Sequence, residues 1–124
     1  MIGEIHKEAA KSHLKVGEEF YKKMQEESDT NKKTANMIVS AQNYFYCSVN
    51  VIEYILFKEK KEHSFNHENR FRKVKEYFNI FPSEFAELYD KVDRDLRNKV
   101  AYRGENSEKF ESLKKLAESA IKLL

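Results

Sequence analysis

Arg97 and Asn98 stand side by side, and Tyr102 follows four positions after Asn98, in the stretch DRDLRNKVAYRGE spanning 93–105. An arginine can hold a phosphate through two parallel hydrogen bonds. A tyrosine, with an ordinary pKa of about 10, can donate a hydrogen bond or stack on a base, whereas proton transfer near neutral pH suits a histidine. The stretch reads as a helix that Gly104 ends as a left-handed cap. Each helical residue turns about 100°. If Val92, Leu96 and Val100 mark the buried direction, then Arg94, Arg97, Asn98 and Ala101 point away from it. Tyr102, one turn after Asn98, can touch it, and Arg97 and Tyr102 flank small Ala101. One reading is a solvated face, with Asp90–Arg94 and Asp93–Arg97 as ion pairs worth a few tenths of a kcal/mol each. The other is a face that meets a second copy of itself, so that two Arg-Asn pairs and two tyrosines line one cleft.

Elsewhere the reactive residues are sparse. His6 and His13 are seven apart on one helix side, too far for one metal ion, and His13 reads as a partly buried packing residue. His63 and His67 have the four-residue spacing of helical metal ligands but straddle a helix cap at Asn66. No metal site is therefore expected, and no cofactor. Asn43, Tyr46, Asn50, Glu53 and Tyr54 make a polar and aromatic strip, read first as a half-exposed face or a contact within the bundle. No phosphate-binding loop, dinucleotide fingerprint or nucleophile elbow occurs. The segments KEKKEH and ENRFRKVK add local positive charge, which a solvated loop explains as well as nucleic acid does.

The elements that must position these residues follow from composition and period. Apolar residues make up 40% and charged residues 35%, with three Gly and one Pro, a mix that favours helices over sheets. At 124 residues the expectation is one domain, 1–124, with a real core. A net charge of +2 does not announce a nucleic-acid binder. The single cysteine, Cys47, excludes an internal disulfide and a cysteine-based zinc site. With no signal-type apolar run and no stretch of membrane-spanning length, a soluble cytoplasmic protein with no membrane partner is expected.

Five helices are predicted. The first covers about 3–27, with the apolar stripe Ile5, Ala9, Val16, Phe20 and Met24. Asp29 or Thr30 can cap the second, at about 31–60. Its two neighbouring apolar rows, one through Ala35, Ile38, Phe45, Val49, Ile52 and Leu56, place it at the centre. Asn66 can cap a short third helix to about residue 79, carrying Phe71, Val74 and Phe78. Ser83 is the expected cap of the fourth, which carries Phe85, Leu88, Tyr89, Val92, Leu96 and Val100. Ser107 starts the last, with Phe110, Leu113, Leu116 and Ala117 inward. The expected fold is an all-α, up-and-down bundle of four long helices plus one short helix.

In this setting LRNKVAYRG resembles the signature of the HEPN superfamily, an Arg commonly followed by Asn and, a turn or more later, a His, near the end of the penultimate long helix. AQNYFYCSVNVIEYILF resembles the long second helix of that family, and EHSFNHENRF its polar, His-containing stretch before a short helix. The resemblance implies a HEPN-like bundle with a site at Arg97, Asn98 and Tyr102, where Tyr102 replaces the motif histidine. It implies a homodimer through the fourth helix, with RNA or a nucleotide bound at the composite cleft. Arg94 is a further ligand-binding candidate, and Asn50 and Glu53 are candidates because a polar residue of the second helix approaches the motif Arg in the family. Active members are metal-independent endoribonucleases, found among toxin–antitoxin and defence systems. Without the histidine the expectation here is binding, with cleavage weak or lost. The alternative is a non-catalytic interaction module that partners a nucleotidyltransferase or another antitoxin-like protein.

Overall fold

The longest apolar stretch of the chain, flanked by polar breaks, becomes the longest helix. The computed structural model describes residues 2–94 and 107–124, and side chains within 3–94 and 110–124. Among them are five helices and no strand: α1 (Ile2–Glu26), α2 (Thr30–Lys60), α3 (His67–Glu76), α4 (Ser83–Lys91) and α5 (Ser107–Ile121). The helices form a bundle, and α2 is its axis. Ala41, Tyr44, Phe45, Val51, Ile52 and Leu56 of α2 are buried on more than one side of that helix, as its double apolar row predicts.

Local chemistry sets the ends of α2. The Asp29 carboxylate accepts from the Lys32 N–H at 2.9 Å, satisfying one of the donors that a helix start leaves open. At the other end Lys61 takes a left-handed conformation, φ 57°, and its N–H reaches back to Phe57 O. Asn66 caps α3 through the Asn69 N–H at 2.7 Å. The fourth helix differs from expectation: Pro82 holds the cap position, makes no side-chain cap bond, and Ser83 is the first helical residue. Proline's fixed φ suits the approach to a helix, which leaves the serine one place too late to cap.

α1 runs antiparallel to α2, and the contact between them is made differently from the predicted stripe. Gly3, Ala10 and Gly17, seven apart, are the buried positions of α1, whereas Ile5 is 65% exposed. Small residues let the α2 rings lie directly on the α1 backbone. A Cβ on Gly17 would stand 2.9 Å from Tyr44 Cδ1, and one on Gly3 would stand 2.9 Å from Phe57 Cδ1. Ser40 Oγ fastens the crossing by donating to Gly17 O at 2.7 Å. α1 therefore buries its narrow, small-residue seam, and its larger side chains lie beside or outside it. Ala35 on α2 is exposed as well, since it lies in the first turns of that helix.

α5 closes the other side of α2. Phe110 packs near Tyr44 and stacks on Tyr21 of α1, with ring centres 5.8 Å apart. Phe81, Phe85, Tyr89 and Phe45 form a chain of near-parallel rings at 6.2, 6.4 and 6.3 Å that ties α4 to α2. Each such pair contributes about 0.5–1.5 kcal/mol beyond its buried area. α3 ends at Glu76 rather than near residue 79, and Phe78 is 74% exposed in the turn beyond it. After Lys91 the backbone of residues 92–94 widens to π geometry.

Candidate functional site

The antiparallel α1–α2 seam sets two histidines opposite two asparagines. His6 Nδ1 lies 2.9 Å from Asn50 Oδ1, and His13 Nδ1 lies 2.9 Å from Asn43 Oδ1. Each asparagine donates its amide N–H₂ to a carbonyl one turn earlier, Asn50 to Tyr46 O and Asn43 to Val39 O, both at 2.9 Å. That bond orients the amide, so its oxygen faces the imidazole and accepts from it. In both neutral histidines Nδ1 then carries the hydrogen and Nε2 carries the lone pair.

Beyond the left-handed turn at Lys61, residues 62–66 fold back along the last turns of α2 and cover Glu53. The Glu53 carboxylate, with its side chain 7% exposed, meets four donors. His63 Nδ1 is 3.2 Å from Oε2, Ser64 N is 3.1 Å from Oε2, and Arg70 Nε is 3.5 Å from Oε1. The Ser64 hydroxyl also donates to Oε1. A carboxylate buried this deeply is tolerable because it is paired and hydrogen-bonded. Lys73 Nζ donates to His63 O at 3.1 Å and holds the segment in place. The His63 ring stacks on Phe57 with centres 5.1 Å apart and sits 5.3 Å from the His6 ring. His63 Nε2 is buried and has no hydrogen-bond partner among the described residues. His6, Asn50, Glu53, His63, Ser64 and Arg70, with Val49, line a pocket of about 320 Å³.

A second concavity, about 550 Å³, lies between α3 and the end of α4. Its floor is Phe71, with the Arg94 guanidinium 4.7 Å and Lys75 Nζ 5.1 Å from the ring centre. Arg72, Lys75 and Arg94 face Glu68, Glu76 and Asp93, so its cations and carboxylates balance. Arg94 also pairs with Asp90 at 2.7 Å, the four-residue pair expected from the sequence, and it is outward-facing as expected.

Glu53 pairs with Arg70, and Arg70 Nη1 donates to His67 Nδ1 at 3.0 Å; that nitrogen, as the acceptor, lies 4.0 Å from the Asp93 carboxylate, beyond hydrogen-bond reach. Of the candidate site residues, Arg94, Asn50 and Glu53 are thus placed, the last two in one pocket. Arg97, Asn98 and Tyr102 lie outside the described residues, as do Leu96, Val100, Ala101 and the Gly104 cap. His13 is the half-buried packing residue expected, and His63 and His67 share no helix.

Spacing along the chain pairs His6 with His13 and His63 with His67, whereas the fold brings His6 to His63 and Glu53. A signal existed in the matched seven-residue spacings of His6–His13 and Asn43–Asn50, which register two antiparallel helices. Nothing local, however, indicates that the loop after α2 returns His63 to that seam.

Among the described residues no helix is long and apolar enough to cross a membrane. Comparisons of the chain with protein-family models, with curated proteins and with solved structures returned no match.

Proposed function

We propose that this chain is a HEPN-like domain that binds RNA or a nucleotide at a cleft built from Arg97, Asn98 and Tyr102, as a homodimer through its fourth helix, with ribonuclease activity weak or lost. The supporting observation is the run of contacts from Glu53 to Arg70 and from Arg70 to His67, with the Asp93 carboxylate 4.0 Å beyond. It leads from Glu53, one of the two α2 positions singled out for ligand binding, towards the stretch just after α4, where Asp93 stands four residues before Arg97. Arg94, mostly exposed and held over Phe71 beside those contacts, offers a cation to a phosphate. On this reading the chain would act in a toxin–antitoxin or defence system, with a nucleotidyltransferase as the partner if it is non-catalytic. Arg97 supplies positive charge for a phosphate, and Tyr102 supplies a hydrogen bond or a stacking face in place of proton transfer.

Fluorescence anisotropy with a labelled single-stranded RNA, and with a labelled nucleotide, tests the reading. Arg97→Ala should weaken binding by about 1.5–3 kcal/mol, roughly 10- to 150-fold. Arg97→Lys should recover only part of it, because the planar fork is lost. Light scattering should show a dimer that Ala101→Glu splits. A monomer at micromolar concentration whose binding is indifferent to Arg97→Ala would refute the proposal.

A further inference from the structure

We propose a second site, separate from the Arg97 cleft: His6 and His63 bind one zinc-class divalent cation through their Nε2 atoms, with Glu53 and Asn50 as the groups that orient them. A donor atom of His6, one of Glu53 and one of His63 lie within 4.8 Å of one another. Three observations carry the inference further than proximity. The first is tautomer. Asn50 takes the Nδ1 hydrogen of His6, and Glu53 takes that of His63, so both rings present Nε2 lone pairs. This is the arrangement by which outer groups fix metal-binding histidines, one hydrogen bond on the far nitrogen of each.

The second is the buried Nε2 of His63, which no described residue satisfies. A polar atom in that position costs free energy unless something bonds it, and a cation at the pocket would. The third is ring placement. Two imidazoles on one tetrahedral zinc, with Zn–N near 2.0–2.1 Å, have ring centres about 5 Å apart. Here the centres are 5.3 Å apart and the planes are inclined by 49°. His6 is half-buried and lines the same pocket as His63.

The donor set selects the metal class. Imidazole nitrogens suit zinc, nickel, copper or cobalt and not magnesium or calcium, and no thiolate is near, since Cys47 lies in the core. Arg70 opposes a cation, but its charge is already matched by Glu53. With only two protein nitrogens committed, the remaining coordination positions open to the pocket and its solvent. Metal binding at this pocket neither requires nor implies RNA binding at the Arg97 cleft.

The experiment titrates metal-stripped protein with Zn²⁺ by calorimetry and with Co²⁺ by its visible d–d absorption. One ion per chain is expected. His6→Ala and His63→Ala should each weaken binding by more than the 10–100-fold that loss of an outer orienting group causes, and Asn50→Ala should fall within that 10–100-fold range. His13→Ala removes the sister histidine of the same seam, which has no second imidazole opposite, and should leave affinity unchanged. Circular dichroism establishes that each variant is folded, and His6→Gln and His63→Gln replace any alanine variant that is not. Absence of saturable binding by the wild type would overturn the proposal, as would binding unaffected by replacing His6 and His63, or lost equally on replacing His13. RNA anisotropy repeated with EDTA separates the two sites: the Arg97 reading expects no change, whatever the metal titration gives.

Discussion

Replacing Glu53 is the most direct probe of the pocket, because so many donors converge on its buried carboxylate. In Glu53→Ala the Arg70 guanidinium, on a side chain 12% exposed, loses its carboxylate, and the Ser64 N–H and His63 Nδ1–H lose their acceptor. Removing one partner of a buried ion pair costs about 3–5 kcal/mol, mostly the cost of the charge left behind. Arg70 retains His67 as a partner at 3.0 Å, which places the expected loss near the lower end, about 3 kcal/mol. Glu53→Gln keeps the volume and one acceptor but puts an amide N–H₂ among donors, and should cost about 1.5–3 kcal/mol. Against a usual domain stability of about 5–15 kcal/mol these are large effects. Urea denaturation followed by circular dichroism measures them, with unchanged slopes as evidence that midpoints report stability. Arg70→Met combined with Glu53→Ala should cost less than the sum of the single changes by about 1 kcal/mol or more, since the two groups act as a unit. A loss below about 1 kcal/mol for Glu53→Ala would refute the reasoning, for it would mean that the carboxylate is effectively solvated.

The other predictions concern the core. Gly17→Ala gains about 1 kcal/mol of helix propensity, but its Cβ would stand 2.9 and 3.0 Å from the ring of Tyr44, which is 1% exposed and has no room to swing. Overpacking of about 1–3 kcal/mol should win, so the urea midpoint falls, and a rise would show that the α1–α2 seam can open cheaply. Burial, helped by the charge of Glu18, pushes the Cys47 thiol up to about 12. A thiol reagent at neutral pH should therefore leave the folded protein untouched and modify it on unfolding, and rapid native labelling would contradict the burial. The same shift has a sign in stability. The unfolded thiol ionises near pH 8.5 while the folded one stays neutral, so its contribution is intact below that pH and lost as pH rises towards 12. Tyr44, raised by burial and then by Glu18, acts in the same direction at higher pH. Midpoints measured at about pH 7.5 and pH 9.5 should fall with pH, and a rise would refute the sign.

The sequence by itself determined the features whose causes are local. The Asp29 and Asn66 caps bond three residues ahead, the Asp90–Arg94 pair spans one turn, and the double apolar row of α2 reports its central place. Each is set by helix geometry within a few residues. Tertiary structure decided which surfaces meet. Ile5 and Phe78 are apolar at plausible spacing and yet exposed, while Gly3 and Gly17 form the buried seam. Hydrophobic period ranks faces by bulk, whereas close helix approach rewards small residues that admit rings from the partner helix. The pocket is further still from local rules. His6 meets Asn50 across 44 residues, and His63 reaches Glu53 only because the turn at Lys61 sends the chain back along α2. Such pairings depend on helix register and on a loop's path, which are settled by packing the whole core and not by any short run of the chain.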